Sequence, residues 1–128
     1  MDYIKLPDTE LTVMKAIWRE GRVVSTAEVK EALEQERPWT LSALQTLLNR
    51  LIARGFLASH KEGKNRYYEA LVPEQEYIAF ENRQFLKKVN HSSLKGFVAS
   101  LCYANAVSRE ELEELAAFIE AQAKGDAE

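Results

Sequence analysis

The chain has 128 residues, a formal net charge of −3 and one cysteine, Cys102. That length makes one domain, or two small ones sharing a core. A single cysteine excludes an intramolecular disulfide and a cysteine cage for a metal, and Cys102 reads as a small buried apolar residue on a helix. Overall acidity argues against a protein that coats nucleic acid indiscriminately, but not against a local basic footprint. No apolar run approaches the ~20 residues of a membrane span. The acidic start Met1-Asp2-Tyr3, soon interrupted by Pro7-Asp8, does not resemble a signal peptide. A soluble, cytoplasmic protein is expected.

Charge is unevenly spread. Residues 1–72 carry 11 basic and 10 acidic groups, whereas residues 73–128 carry 6 and 10. The first part can approach phosphate and the second tends to be repelled by it. Between Arg37 and Val72, six Lys/Arg face two acids, a local excess of +4.

The first helix is expected from Asp8 to Glu20, with Asp8 as N-cap and Gly21 as the stop. Leu11, Met14, Ile17 and Trp18 form its apolar stripe. Val23-Val24 is short and β-branched, and could add a third strand to a small sheet. Ser25 and Glu28 make a capping box for a second helix, with Val24 and Val29 as its staple. That helix ends before Pro38, because the residue before proline resists the helical region.

Thr40 caps a third helix, Leu41 to Arg54, closed by Gly55. Leu41, Leu44, Leu47, Leu48, Leu51 and Ile52 line its inner side. Ser42, Ala43, Gln45, Thr46, Asn49 and Arg50 are left outside. Two strands follow, Phe56 to Lys61 and Arg66 to Val72, joined at Glu62-Gly63-Lys64-Asn65, with Tyr67 and Tyr68 on opposite faces. A helix followed at once by a basic hairpin is the layout of a winged helix-turn-helix. The fold class is therefore mainly α with a small β-wing.

Pro73 opens a helix running to about Val89, broken at Asn90-His91-Ser92-Ser93. Another spans Leu94 to about Ala104. Ser108 and Glu111 make a second capping box, with Val107 and Leu112 as staple, for the last helix; residues 125–128 are expected to fray. Residues 1–72 thus form a winged-helix DNA-binding domain, and residues 73–128 a three-helix region. About 55 residues are marginal for a lone core. The apolar Tyr77, Ile78, Phe80, Phe85, Leu86, Val89, Phe97, Leu101, Leu112, Leu115 and Ile119 therefore need a cover, and a second copy would supply it. The near-absent linker at Val72-Pro73 opposes folding back on residues 1–72.

A solvated helix face usually carries long Glu and Lys in i,i+4 pairs. The outer face of the third helix instead has short polar groups and no acid between Thr40 and His60. Gln and Asn can read adenine through paired hydrogen bonds, and Ala43 could meet a thymine methyl. Arg50 and Arg54 suit phosphates. On the wing, Lys61, Lys64, Asn65 and Arg66 would follow the backbone or minor groove. His60 and His91 lack metal spacing and read as surface or capping residues. With no phosphate loop, nucleophile elbow or paired-acid site, nothing suggests an enzyme or a cofactor. A winged-helix protein-interaction adaptor is the alternative, since such folds also serve without DNA.

Ordered segments across nearly the whole chain resemble the penicillinase-repressor family. They are Glu10-Leu11-Thr12-Val13-Met14-Lys15-Ala16-Ile17-Trp18, Trp39-Thr40, Thr46-Leu47-Leu48-Asn49-Arg50-Leu51, Gly55-Phe56-Leu57, Lys61-Glu62-Gly63-Lys64, Tyr68, Leu71-Val72, Glu76-Tyr77, Phe85-Leu86 and Ser108-x-x-Glu111-x-x-Glu114-Leu115. The resemblance implies a homodimeric winged-helix repressor with a helical dimerisation region. It implies binding to inverted repeats in promoters, often with TACA/TGTA elements. It makes the third helix the recognition helix, with Thr46 and Arg50 on the family pattern. Family members often carry Thr where this chain has Ala43, so the base preference there does not carry over.

Two departures concern induction. In antibiotic-responsive relatives a sensor-peptidase system leads to cleavage at an Asn-Phe bond. Here the equivalent position is Ser100-Leu101, so the Asn-Phe pair is missing. Copper-responsive relatives carry a Cys-x-Cys cluster, absent here. Neither the inducer nor the target genes follow from the sequence.

Overall fold

In the computed structural model, residues 3–126 are described. The chain forms two compact units, residues 1–82 and 83–128. The first holds α1 (Asp8–Glu20), β1 (Val24–Ser25), α2 (Thr26–Leu33), α3 (Leu41–Ala53), β2 (Leu57–Glu62), β3 (Asn65–Ala70) and the start of α4 (Glu74–Asn90). The second holds the rest of α4, α5 (Leu94–Tyr103) and α6 (Arg109–Asp126). The three strands form one antiparallel sheet in the order β1-β3-β2.

Local chemistry sets most boundaries. Ser25 Oγ accepts from the Glu28 amide at 3.2 Å, and Glu28 Oε1 accepts from the Ser25 amide at 2.9 Å, completing the capping box of α2. Ser108 and Glu111 repeat the arrangement ahead of α6. Thr40 Oγ1 accepts from the Ala43 amide at the start of α3. Asp8 is not a cap: it is the first residue of α1, Pro7 holds the N-cap position, and no side chain caps it. Helix α2 stops at Leu33, well short of Pro38, with Glu34 as its C-cap. Gly55, at φ 83°, turns the chain from α3 directly into β2. Gly63 has φ 63° whereas Lys64 does not lie in the left-handed region, the II′ pattern suited to a two-residue hairpin.

The core of the first unit gathers Val13, Met14 and Ile17 of α1, Val29 and Leu33 of α2, and Leu44, Leu47, Leu48 and Leu51 of α3 under Leu57 and Tyr68 of the sheet. Leu41, expected on the inner side of α3, is 57% exposed. It occupies the first helical position, ahead of the turn that packs. At the other end, the first turns of α4 fold onto this core. Tyr77 is 1% and Phe80 7% exposed; with Tyr3 and Phe56 they make an aromatic cluster with ring centroids 5.5–6.4 Å apart. Tyr77 Oη accepts from the buried Leu6 amide at 2.8 Å, and Trp18 Nε1 donates to the Val72 carbonyl at 2.9 Å. Tyr77 is therefore a core residue of the first unit, not a side chain awaiting a partner. The short linker places the first turns of α4 against the core instead of preventing contact.

The second unit buries little. Helix α5 has no buried residue, and Phe85, Val89, Leu94, Phe118 and Ile119 are each about half exposed or more. Phe85 and Phe97 meet edge to face at 6.1 Å. Cys102 is exposed, not buried: it lies on α5, none of whose residues is buried. The break after α4 contains His91 and Ser92, both with positive φ. The expected fraying at 125–128 lies partly outside the described residues; α6 continues through Gly125 to Asp126.

Candidate nucleic-acid interface

Helix α3 is backed by Leu44, Leu47, Leu48 and Leu51, all buried, so its other side must face outward. Ser42, Thr46, Asn49 and Arg50 are exposed and Gln45 half-buried. Ser42, Gln45, Thr46 and Asn49 fall at i, i+3, i+4 and i+7, one continuous stripe. Ala43 and Arg50 flank it on one side. Thr46 Oγ1 donates to the Ser42 carbonyl at 3.1 Å, which leaves its oxygen lone pairs outward. Gln45 Nε2 donates to Asn49 Oδ1 at 3.2 Å and to Tyr68 Oη at 3.3 Å. The Arg50 side chain makes no hydrogen bond or ion pair among the described residues and is free to meet an anion.

Arg54 is not free. Its Nε and Nη2 donate to Glu10 Oε1 and Oε2 at 2.6 and 3.3 Å, and Glu10 is 1% exposed. Expected on phosphate, Arg54 is instead the counter-charge of a buried carboxylate on α1. The reason is geometric: as the C-cap residue of α3 it leaves the outer stripe and turns toward α1.

The wing is sorted by pleat. Alternate residues share a face, so Ser59 and Lys61 of β2 lie on the same side as Tyr68 and Arg66 of β3, their cross-strand partners. That is the side from which Tyr68 reaches α3. Lys61 and Arg66 thus extend, toward the hairpin tip, the same surface that bears Gln45. Arg66 Nη1 donates to Ser59 Oγ at 3.1 Å. Lys61 and Arg66 stand directly opposite each other, an unfavourable pairing unless an anion neutralises it. Lys64 is in the turn, and Asn65 falls on the other face with Tyr67, which stacks on His60 at 5.6 Å. The structure therefore brings together α3, Lys61 and Arg66, and sets Asn65 apart from them.

Two contributors escaped sequence reading. Tyr68 was assigned a face but not a partner; the signal was a tyrosine, whose hydroxyl needs a hydrogen bond, at an inward strand position. Arg37 counted only as charge, yet its guanidinium lies 4.1 Å from the centroid of the Trp39 ring just ahead of α3. Such stacking orients a cation beside the helix start. The Ser100-Leu101 position lies inside α5, with Ser100 Oγ donating to the Phe97 carbonyl. Among the described residues no group of three or more His, Cys, Asp or Glu could hold a metal, and no helix is long and apolar enough to cross a membrane.

The family model described as penicillinase repressor matches residues 6–121. The chain belongs to the penicillinase-repressor family. It is 34% identical over 116 residues to the penicillinase repressor of Bacillus licheniformis, covering 91% of this chain and 90% of that one. It is 27% identical over 111 residues to the methicillin resistance regulatory protein MecI of Mammaliicoccus sciuri, covering 87% and 89%. The solution structure of the DNA-binding domain of the repressor BlaI superposes with a TM-score of 0.52 at 37% identity, covering 59% of this chain and 92% of that domain. The monomeric form of B. licheniformis BlaI in complex with the blaP half-operator matches at 0.50 and 37%, with the same coverage. As a member of that family, the protein has the winged-helix fold and is a DNA-binding transcriptional repressor, not an enzyme.

Proposed function

We propose that this protein acts as a homodimer on an inverted-repeat operator, reading bases with the outer stripe of α3 and anchoring on phosphate through Arg50 and the wing. The observation that carries the reading is the stripe itself. A helix backed by buried leucines presents Ser42, Gln45, Thr46 and Asn49 with no acid among them, beside a wing whose Lys61 and Arg66 repel each other until an anion arrives. The similar BlaI monomer on a half-operator supports it.

The dimer follows from energetics. A lone half-site contact is weak, and linking two raises apparent affinity by roughly 10²–10⁴. In the second unit Phe85, Val89, Leu94, Phe118 and Ile119 leave apolar surface in water. A second copy covering this surface recovers about 25 cal/mol per Å². Phe97, Leu101, Leu112 and Leu115, half-buried within one chain, would complete that interface. Residues 83–128 thus serve as the dimerisation region. Ile78 lies in the first unit and is half-buried there.

The test is a binding selection with a degenerate duplex pool, read by sequencing at two salt concentrations, alongside sedimentation of the full chain. Paired half-sites about one helical turn apart, or a multiple, and a dimer are the expected results. Solitary, asymmetric sites or a monomer would refute the proposal.

A further inference from the structure

We infer that Tyr68 is a positioning residue for base readout, its hydroxyl holding the Gln45–Asn49 pair in the orientation presented to DNA. The inference rests on α3 being the recognition helix. Tyr68 is 0% exposed, opposite Ser59 in the sheet. Its ring does core packing that a phenylalanine would do equally well. Its hydroxyl has one partner among the described residues, and that partner is on the reading face: Gln45 Nε2, at 3.3 Å. The same nitrogen donates to Asn49 Oδ1 at 3.2 Å.

A primary amide has two hydrogens, and both are engaged here. Gln45 is therefore left its carbonyl oxygen as an acceptor, with no partner among the described residues, while Asn49 keeps its two N–H donors. The two side chains act as a unit, an acceptor beside a donor. The acceptor suits the amino group of adenine or cytosine; the donors suit purine N7, guanine O6 or thymine O4. Neither amide alone then performs the two-bond adenine contact expected of an isolated Gln or Asn. A glutamine tethered from below also loses less rotamer freedom on binding.

The test compares the full-length protein with Tyr68→Phe, Gln45→Ala and the double variant, each selected against the degenerate duplex pool. Gln45→Ala should flatten preference at one base pair of each half-site. Tyr68→Phe should relax preference at that same pair by about fivefold, the worth of one hydrogen bond. Its binding to random duplex and its salt slope should match wild type. The double variant should look like Gln45→Ala alone. If Gln45→Ala alters no base pair, the reading role of that residue fails and the inference with it. If Gln45→Ala flattens a pair that Tyr68→Phe leaves sharp, only the inference fails. A Tyr68→Phe chain that binds random duplex poorly would place the hydroxyl's role in folding, and equally overturn it.

Discussion

Arg54 at the end of α3 is fastened to the buried Glu10 of α1 by two hydrogen bonds, 2.6 and 3.3 Å long. The pair ties the far end of α3 to the scaffold, and its two halves are unequal. Arg54 keeps 30% of its side chain in solvent and Glu10 only 2%.

Removing the arginine strands a buried charge, whereas removing the acid releases a cation that can hydrate. Arg54→Ala should destabilise by about 3 kcal/mol and Glu10→Ala by clearly less. Denaturant titration of the two singles and the double should show strong non-additivity. In DNA binding the contrast reverses: Arg50→Ala should lower the salt slope by about one, and Arg54→Ala should leave it unchanged.

The Lys61–Arg66 pair predicts opposite effects on stability and binding. Lys61→Glu replaces a like-charged cross-strand pair with an attractive one, so it should raise stability by about 0.2–1 kcal/mol. It also puts an acid beside the phosphates, so affinity for every duplex should fall without change in base preference. A thermal melt and a competition assay on the same sample check both signs.

Fragments test where the first unit ends. Residues 1–82 keep Tyr77 and Phe80 and should fold as a monomer that binds DNA weakly. Residues 1–72 lose both aromatics and leave the Leu6 amide without its acceptor. Losing a buried aromatic costs about 3–5 kcal/mol, so the shorter fragment should show little cooperative unfolding by circular dichroism.

The acid limb of stability should depend on Glu28. The Arg22 guanidinium, 2.6 Å away, and then the Ser25 amide hold its carboxyl down to about 2, against an ordinary 4.5. A carboxyl lowered in the folded state adds stability that is complete above 4.5 and disappears as pH falls through about 2. Glu111 is lowered in the same direction, first by the Ser108 amide, so it adds to the same limb. Melting temperature should therefore fall over that window, and Glu28→Gln should flatten the fall.

What could be read from residues alone was local. Ser25 and Glu28, Ser108 and Glu111, Thr40 before its leucines, and Gly63 in the hairpin each act within a few residues, where one sequence has few conformations to choose among. What escaped was long-range. Glu10 looks like any solvent-facing helical acid until Arg54, 44 positions away, closes on it. Tyr77 and Phe80 look like members of an exposed apolar stripe because periodicity names a face, not what covers it. Asp8 looks like a cap because its residue type is right and only backbone geometry disqualifies it. At the interface, the α3 stripe was legible from the absence of acids, whereas the tie from Tyr68 to Gln45 needed the pleat of β3 in three dimensions.

Between the last turn of α3 and the first residue of β2 only Arg54, Gly55 and Phe56 intervene. The Phe56 amide bonds the Leu51 carbonyl, while the Phe56 carbonyl accepts from the Leu71 amide. No slack remains for the hairpin to swing independently of the rod. A lineage that acquires a new target must therefore exchange side chains at fixed points in space, since it has no reach to adjust.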